Sequence, residues 1–139
     1  MHRSTNARTR PTLSRLRRLA ALLAPSSLRA AAWALLSLRR ARRDLAARGL
    51  EGTWVAGPPR LPASARAGVL AVVRRRPSTC LERALVLQRW EADHGAPSDV
   101  VIGVRGTSPN FEAHAWLDEM PDAGPHAFHE ILRLPAPTR

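Results

Sequence analysis

The chain has 139 residues, 45% of them hydrophobic and 24% charged, which is the composition of one folded domain rather than of a disordered segment. All 22 basic side chains are arginine and the formal net charge is +11, unevenly placed: residues 1–76 hold 17 Arg against Asp44 and Glu51, a net +15, while residues 77–139 hold 5 Arg against 9 acids, a net −4. That asymmetry excludes a uniformly basic nucleic-acid module. The single cysteine, Cys80, excludes a disulfide framework and a cysteine-rich zinc site, and points to a reducing, cytoplasmic setting. Neither a cofactor nor a metal is expected.

Residues 1–11 are polar and basic and read as a frayed tail. A helix is predicted over residues 12–24, with Leu13, Leu16, Leu19 and Leu23 at helical spacing. Pro25-Ser26-Ser27 reads as a break and a new cap. The longest uncharged run, residues 19–28, is ten residues against the roughly 20 that a membrane span needs. It also makes a poor export signal, because basic helix follows it. A second helix is predicted over residues 28–48, carrying Ala32, Leu35, Leu36 and Leu38. In it Arg39, Arg40, Arg42 and Arg43 crowd little more than one turn and cannot all pair with Asp44. The basic helices read first as solvated outer faces packed against the core. In the sharper alternative they dock an acidic surface, that of a partner protein or of an anionic membrane. Basic amphipathic helices also bind anionic membranes, which makes the inner face of the membrane an alternative contact. Glycines and prolines make residues 50–62 a linker. The predicted division is therefore 1–62, a basic helical region with its linker, and 63–139, a core of helices and strands.

The core begins with a helix over residues 63–75, with Val69, Leu70, Val72 and Val73 buried. Ser78-Thr79 then caps a helix from Cys80 that Gly95 stops. Residues 99–105 are rich in β-branched side chains and read as a strand. Residues 111–118 alternate, with Phe111, Ala113, Ala115 and Leu117 on one face and His114 and Trp116 on the other. A last short strand covers 128–134. The fold class is α+β.

Cys80 is the candidate nucleophile. It sits in the first turn of a helix, where unpaired backbone N–H groups and the helix dipole favour a thiolate. A lone helix cysteine is more often a buried structural thiol, and a lone strand histidine a hydrogen-bonded core residue. His114 lies 34 residues further on, in a strand that packs beside the helix, where a base reaches a nucleophile. The pair is more informative than either residue. A third group usually fixes the imidazole tautomer. Asp118 is about 13 Å along the same strand and is too far away. Asp122, past the turn, is where the chain doubles back and is the candidate.

Pro-Ser-Thr-Cys80-Leu-Glu-Arg-Ala-Leu-Val-Leu-Gln88, then Val-Ile-Gly103-Val-Arg105, then Phe111-Glu-Ala-His114-Ala-Trp116-Leu resemble the lasso-peptide leader peptidases. These are B-type maturation proteins with a transglutaminase-like, papain-related cysteine-protease fold. The resemblance covers residues 77–135. It implies Cys80 as nucleophile, His114 as base, and a substrate that is the leader of a small ribosomally made precursor, removed before macrolactam closure. Residues 1–76 show no strand-rich leader-recognition domain, which implies the split form, with a separate leader-recognition protein and an ATP-dependent macrolactam cyclase as partners. The family places its acid about a dozen residues after the histidine. That position here holds His126, and Asp122 is the nearest acid that a gap brings into line.

Two other readings compete. Transglutaminases and arylamine acetyltransferases use the same Cys-His-Asp set, but 139 residues leave no room for an acceptor or cofactor domain. A basic, non-enzymatic adaptor for an acidic partner or nucleic acid would use residues 8–76, yet Trp33 and Trp54 are the only aromatics there. No nucleic acid is expected.

Overall fold

The computed structural model describes residues 20–107, 109–119 and 128–138. Helix α1 spans Pro25–Arg48. A 3-10 turn at Ala63–Ala65 leads into α2, Arg66–Arg75, and α3 is Cys80–Asp93. Strands β1 (Val100–Arg105), β2 (Glu112–Leu117) and β3 (His129–Leu134) follow. They form one antiparallel sheet with β1 in the middle, in the order β2-β1-β3. The class is α+β, as the pattern of elements predicts.

The predicted break falls at Ala24, between helical residues 20–23 and the new helix, which starts at Pro25 itself rather than at Leu28. The proline stands at the first helical position, where its missing N–H costs nothing, and Ala24 rather than a serine is the N-cap. Residues 20–23 are helical; the rest of the helix predicted over 12–24 lies outside the described residues.

Of the residues singled out on this helix, Leu38 is buried, but most of the buried stripe of α1 is made of other side chains. Ala30, Trp33, Ala34, Leu38 and Ala41 are buried, while Leu36 is 64% exposed and Ala32 faces solvent. These buried positions recur every three or four residues, as one face of a helix requires. Small side chains are needed because α2 lies close: a Cβ on Gly68 would stand 1.9 Å from the backbone oxygen of Ser27. The predicted linker takes part in this core too. Val55 is buried, and the backbone oxygen of Ala56 accepts the Trp33 indole N–H at 3.2 Å.

Helix α3 is buried on most sides, with Glu82, Ala84, Leu85, Val86, Gln88, Trp90 and Ala92 all inside. Trp90 packs on Trp33 of α1 at 5.7 Å between ring centroids, and His94 stacks on Trp90 at 4.0 Å. On the sheet side, the Gln88 amide donates to the backbone oxygens of Ser98, before β1, and Leu134, at the end of β3. One side chain thus pins the helix to two strands. Val100, Ala115 and Leu117 complete this core from the sheet.

The other face of the sheet carries a second cluster. His114 stacks on Trp116 at 6.0 Å and tilts against Phe128 at 5.3 Å, and the Arg105 guanidinium lies 4.7 Å from the Phe128 ring centre. Gly103 sits beneath these rings. A Cβ there would come within 2.7 Å of Trp116, so the aromatic cover depends on that residue's lack of a side chain.

The helix crossing yields a direct prediction. Gly68→Ala forces α2 away from the Ser27 backbone and should cost about 1–3 kcal/mol or more, the scale of overpacking. Chemical denaturation measures it. Retained wild-type stability would show that the two helices separate freely.

Candidate active site

The start of α3 is held from three directions. Thr79 is its N-cap: the side-chain oxygen accepts from the Glu82 N–H at 3.2 Å, and the Glu82 carboxylate accepts from the Thr79 N–H at 3.1 Å. This reciprocal capping box satisfies two donors of the first turn. From α1, Arg42 donates two bonds of 3.1 Å to the Glu82 carboxylate and one of 2.5 Å to the Pro77 backbone oxygen. Arg83 donates back to the Ser78 oxygen at 2.6 and 3.2 Å. Residues 77–79, which lead into Cys80, therefore have a defined path.

Glu82 is buried among these donors. Burial pushes its carboxyl upward, but the Arg42 and Thr79 hydrogen bonds, with the charges of Arg42 and Arg83, outweigh it and hold the group below its ordinary value. The Glu82 hydrogen bond and charge raise Arg42 in turn. None of Arg39, Arg40, Arg42 and Arg43 pairs with Asp44, but the four are not equivalent. Arg42 is committed to Glu82, while Asp44 pairs with Arg48 at 2.7 Å.

Cys80 is the first residue of α3 and is half-buried. It borders a cavity of about 300 Å³ whose wall also includes His114. Leu70 and Val73 of α2, and Ala84 and Leu87 of α3, give this cavity an apolar lining, and Arg74 and Arg83 stand at it. The strand β2 that carries His114 is an edge strand lying against α3, so His114 borders the same cavity as Cys80, while its ring lies with Trp116 and Phe128 on the sheet face turned away from the core. Among the described residues no hydrogen bond joins Cys80 to His114, whose ring stacks on Trp116. Such contacts are often open in free enzymes and close with substrate.

A helix that opens on a cysteine, packed against a three-stranded antiparallel sheet that carries a histidine, is the frame to set beside known families. The profile of the transglutaminase-like superfamily matches residues 7–130. The chain belongs to the transglutaminase-like superfamily. Curated proteins and solved structures gave no match.

In this transglutaminase-like domain the described acids near the sheet are engaged elsewhere. Arg133 donates to both Glu130 oxygens at 2.8 and 2.9 Å and also bonds Asp118. Those two carboxylates hold the Arg133 guanidinium above its ordinary value. Asp122, the acid expected to orient His114, and His126 lie outside the described residues. Among the described residues no group of three or more His, Cys, Asp or Glu side chains is placed to hold a metal ion. No described helix is long and apolar enough to cross a membrane.

Sequence reasoning missed Glu82 and Arg42. The Thr79-x-x-Glu82 spacing was the available signal for the box. Nothing local marks Arg42, which lies 40 residues away.

Replacing Glu82 by Gln should lower stability by about 1–3 kcal/mol at neutral pH, because the Arg42 and Thr79 donors lose a charged acceptor that is itself buried. Since folding depresses the Glu82 carboxyl, its contribution is fully present above the ordinary value of 4.5 and is lost as pH falls through the folded value. The gap between wild type and variant in denaturant melts should therefore narrow in acid. A gap that stays constant down to pH 2 would contradict this account.

Proposed function

We propose that this transglutaminase-like domain is a cysteine peptidase that removes the leader from a ribosomally made lasso-peptide precursor, with Cys80 as nucleophile and His114 as general base. The observation that carries the reading is the apolar cavity bordered by both Cys80 and His114. The superfamily match supports it at the level of chemistry, since cysteine-dependent acyl chemistry runs through the family. The sequence resemblance of residues 77–135 supports the narrower choice of substrate.

In this mechanism His114 takes the Cys80 proton as Sγ attacks the carbonyl carbon of the scissile bond. Charge develops on the carbonyl oxygen beside the first turn of α3. Backbone N–H groups there have no intrahelical acceptor and point outward, so they suit an oxyanion. Collapse of the intermediate passes the proton from His114 to the departing amine, which is the new N-terminus of the core peptide. The leader remains as a thioester on Cys80. Water, activated by His114, then releases it as a carboxylic acid and restores the thiol. Asp122 would orient the imidazole.

The freed amine is the group that a macrolactam cyclase consumes, and a separate leader-recognition protein would present the precursor. Both partners, and work in the cytoplasm or at the inner face of the membrane, belong to this proposal.

Cleavage of a precursor peptide followed by mass spectrometry tests the reading. Cys80→Ala should abolish product, and His114→Gln should slow cleavage by about two to four orders of magnitude with the fold retained. Asp122→Asn should slow it less than His114→Gln. Undiminished cleavage by Cys80→Ala would end the proposal. Transfer of the leader to an added amine, in place of hydrolysis, would reassign the domain to the acyltransferases.

A further inference from the structure

The arginines of this chain divide into two sets. Arg42, Arg48, Arg66, Arg89, Arg105 and Arg133 are all ion-paired. Arg29, Arg39, Arg40, Arg43, Arg60, Arg74, Arg75, Arg76 and Arg83 are exposed and form no ion pair among the described residues. Three of this unpaired set, Arg39, Arg43 and Arg76, come together in one place. Together with Leu35, Leu38 and Pro77 they line a hollow of about 410 Å³ between α1 and the end of α2. The only other charged side chain lining it, Arg42, is held by Glu82.

We propose that this hollow is the subsite for an acidic segment of the peptide substrate, held about three residues from the bond that Cys80 attacks. Two observations select a peptide. First, the lining is mixed: Leu35, Leu38 and Pro77 give the hollow an apolar part that suits an apolar side chain between carboxylates. A phosphate backbone has no use for such a part. Second, the hollow is close to the nucleophile. Pro77 lines it and is three residues before Cys80, which limits the separation of their Cα atoms to about 11 Å. An extended peptide covers that distance in three residues. The path is also defined, because the Arg42 and Arg83 bonds to the backbone oxygens of Pro77 and Ser78 tie down the segment between the two places. Guanidinium groups recognise carboxylates through paired N–H donors, so three unpaired ones around a hollow are matched to an acidic ligand.

The subsite rests on the peptidase reading only in calling its ligand a substrate, and its test does not require turnover. Cys80 is the only thiol, so an electrophile can report proximity to it. Two synthetic peptides carry a chloroacetyl group three residues from the sequence Glu-Leu-Glu or Gln-Leu-Gln, and free chloroacetamide corrects for intrinsic reactivity. Labelling of the full chain is followed by intact mass. The acidic peptide should label Cys80 at least tenfold faster than the amide peptide, and about 0.5 M salt should remove most of that advantage, as screening requires. Changing Arg39, Arg43 and Arg76 together to Glu should abolish the advantage. The same reversal at Arg29, Arg40 and Arg60, exposed but outside the hollow, should leave at least half of it. Thermal melts and a Gln triple variant check that the reversed protein is folded.

Equal labelling by the two peptides would overturn the proposal. So would equal loss in both triple variants, which would mean diffuse charge attraction only. An acidic advantage that depends on the hollow, without any hydrolysis by the wild type, would keep the subsite and defeat the peptidase reading instead.

Discussion

The contact between Arg42 and Glu82 fixes where chemistry can occur in this domain. Glu82 is three residues from the N-cap of α3, so its carboxylate closes the capping box on Thr79 and in the same place receives the guanidinium of a helix 40 residues earlier. Arg42 then reaches the Pro77 oxygen with the same side chain. A helix end alone frays. Here the first turn, which begins with Cys80, is tied to the body of the protein by a charge pair whose acid is buried. Removing Arg42 leaves the buried Glu82 carboxylate without its guanidinium, whereas Arg42, which is exposed, can turn to solvent when Glu82 is lost.

This contact gives part of the basic N-terminal half a structural duty. Helix α1 contributes Trp33 and an alanine stripe to the common core, and contributes Arg42 to the start of the cysteine helix. The excess positive charge of that half is thereby sorted. Some guanidiniums hold carboxylates and backbone oxygens in place, while Arg39, Arg43 and Arg76 face a hollow next to the same segment. The sheet repeats the pattern on a smaller scale, where Arg133 gathers Asp118 and Glu130 at its surface.

Much of this was legible in the sequence. Ser78-Thr79 and Gly95 bracket α3, the β-branched run marks β1, and alternation marks β2 and separates His114 and Trp116 from Ala115 and Leu117. These signals are local. The buried face of α1 is less legible, because hydropathy draws attention to leucines such as Leu36, whereas the tight crossing at Gly68 selects alanine and serine beside Trp33 and Leu38. Pro25 marks the break between helical residues 20–23 and α1, but the helix starts three residues earlier than the serines suggest, because proline is preferred at the first helical position. The partner of Glu82 was illegible for a different reason. Four arginines stand within five residues, and only the tertiary packing decides which one points at α3. The Gly103 requirement is likewise set by Trp116 and Phe128, which lie on the two flanking sides of β1 and meet above it.

A double-mutant cycle on the Arg42–Glu82 pair tests the central claim most directly. Unfolding free energies of wild type, Arg42→Gln, Glu82→Gln and the double variant are compared at neutral pH. If the two side chains act as one clamp on the start of α3, the double variant should be scarcely less stable than the worse single variant. Losses that simply add would contradict the account, because Arg42 and Glu82 would then stabilise the fold independently and the cysteine helix would owe its position to something else.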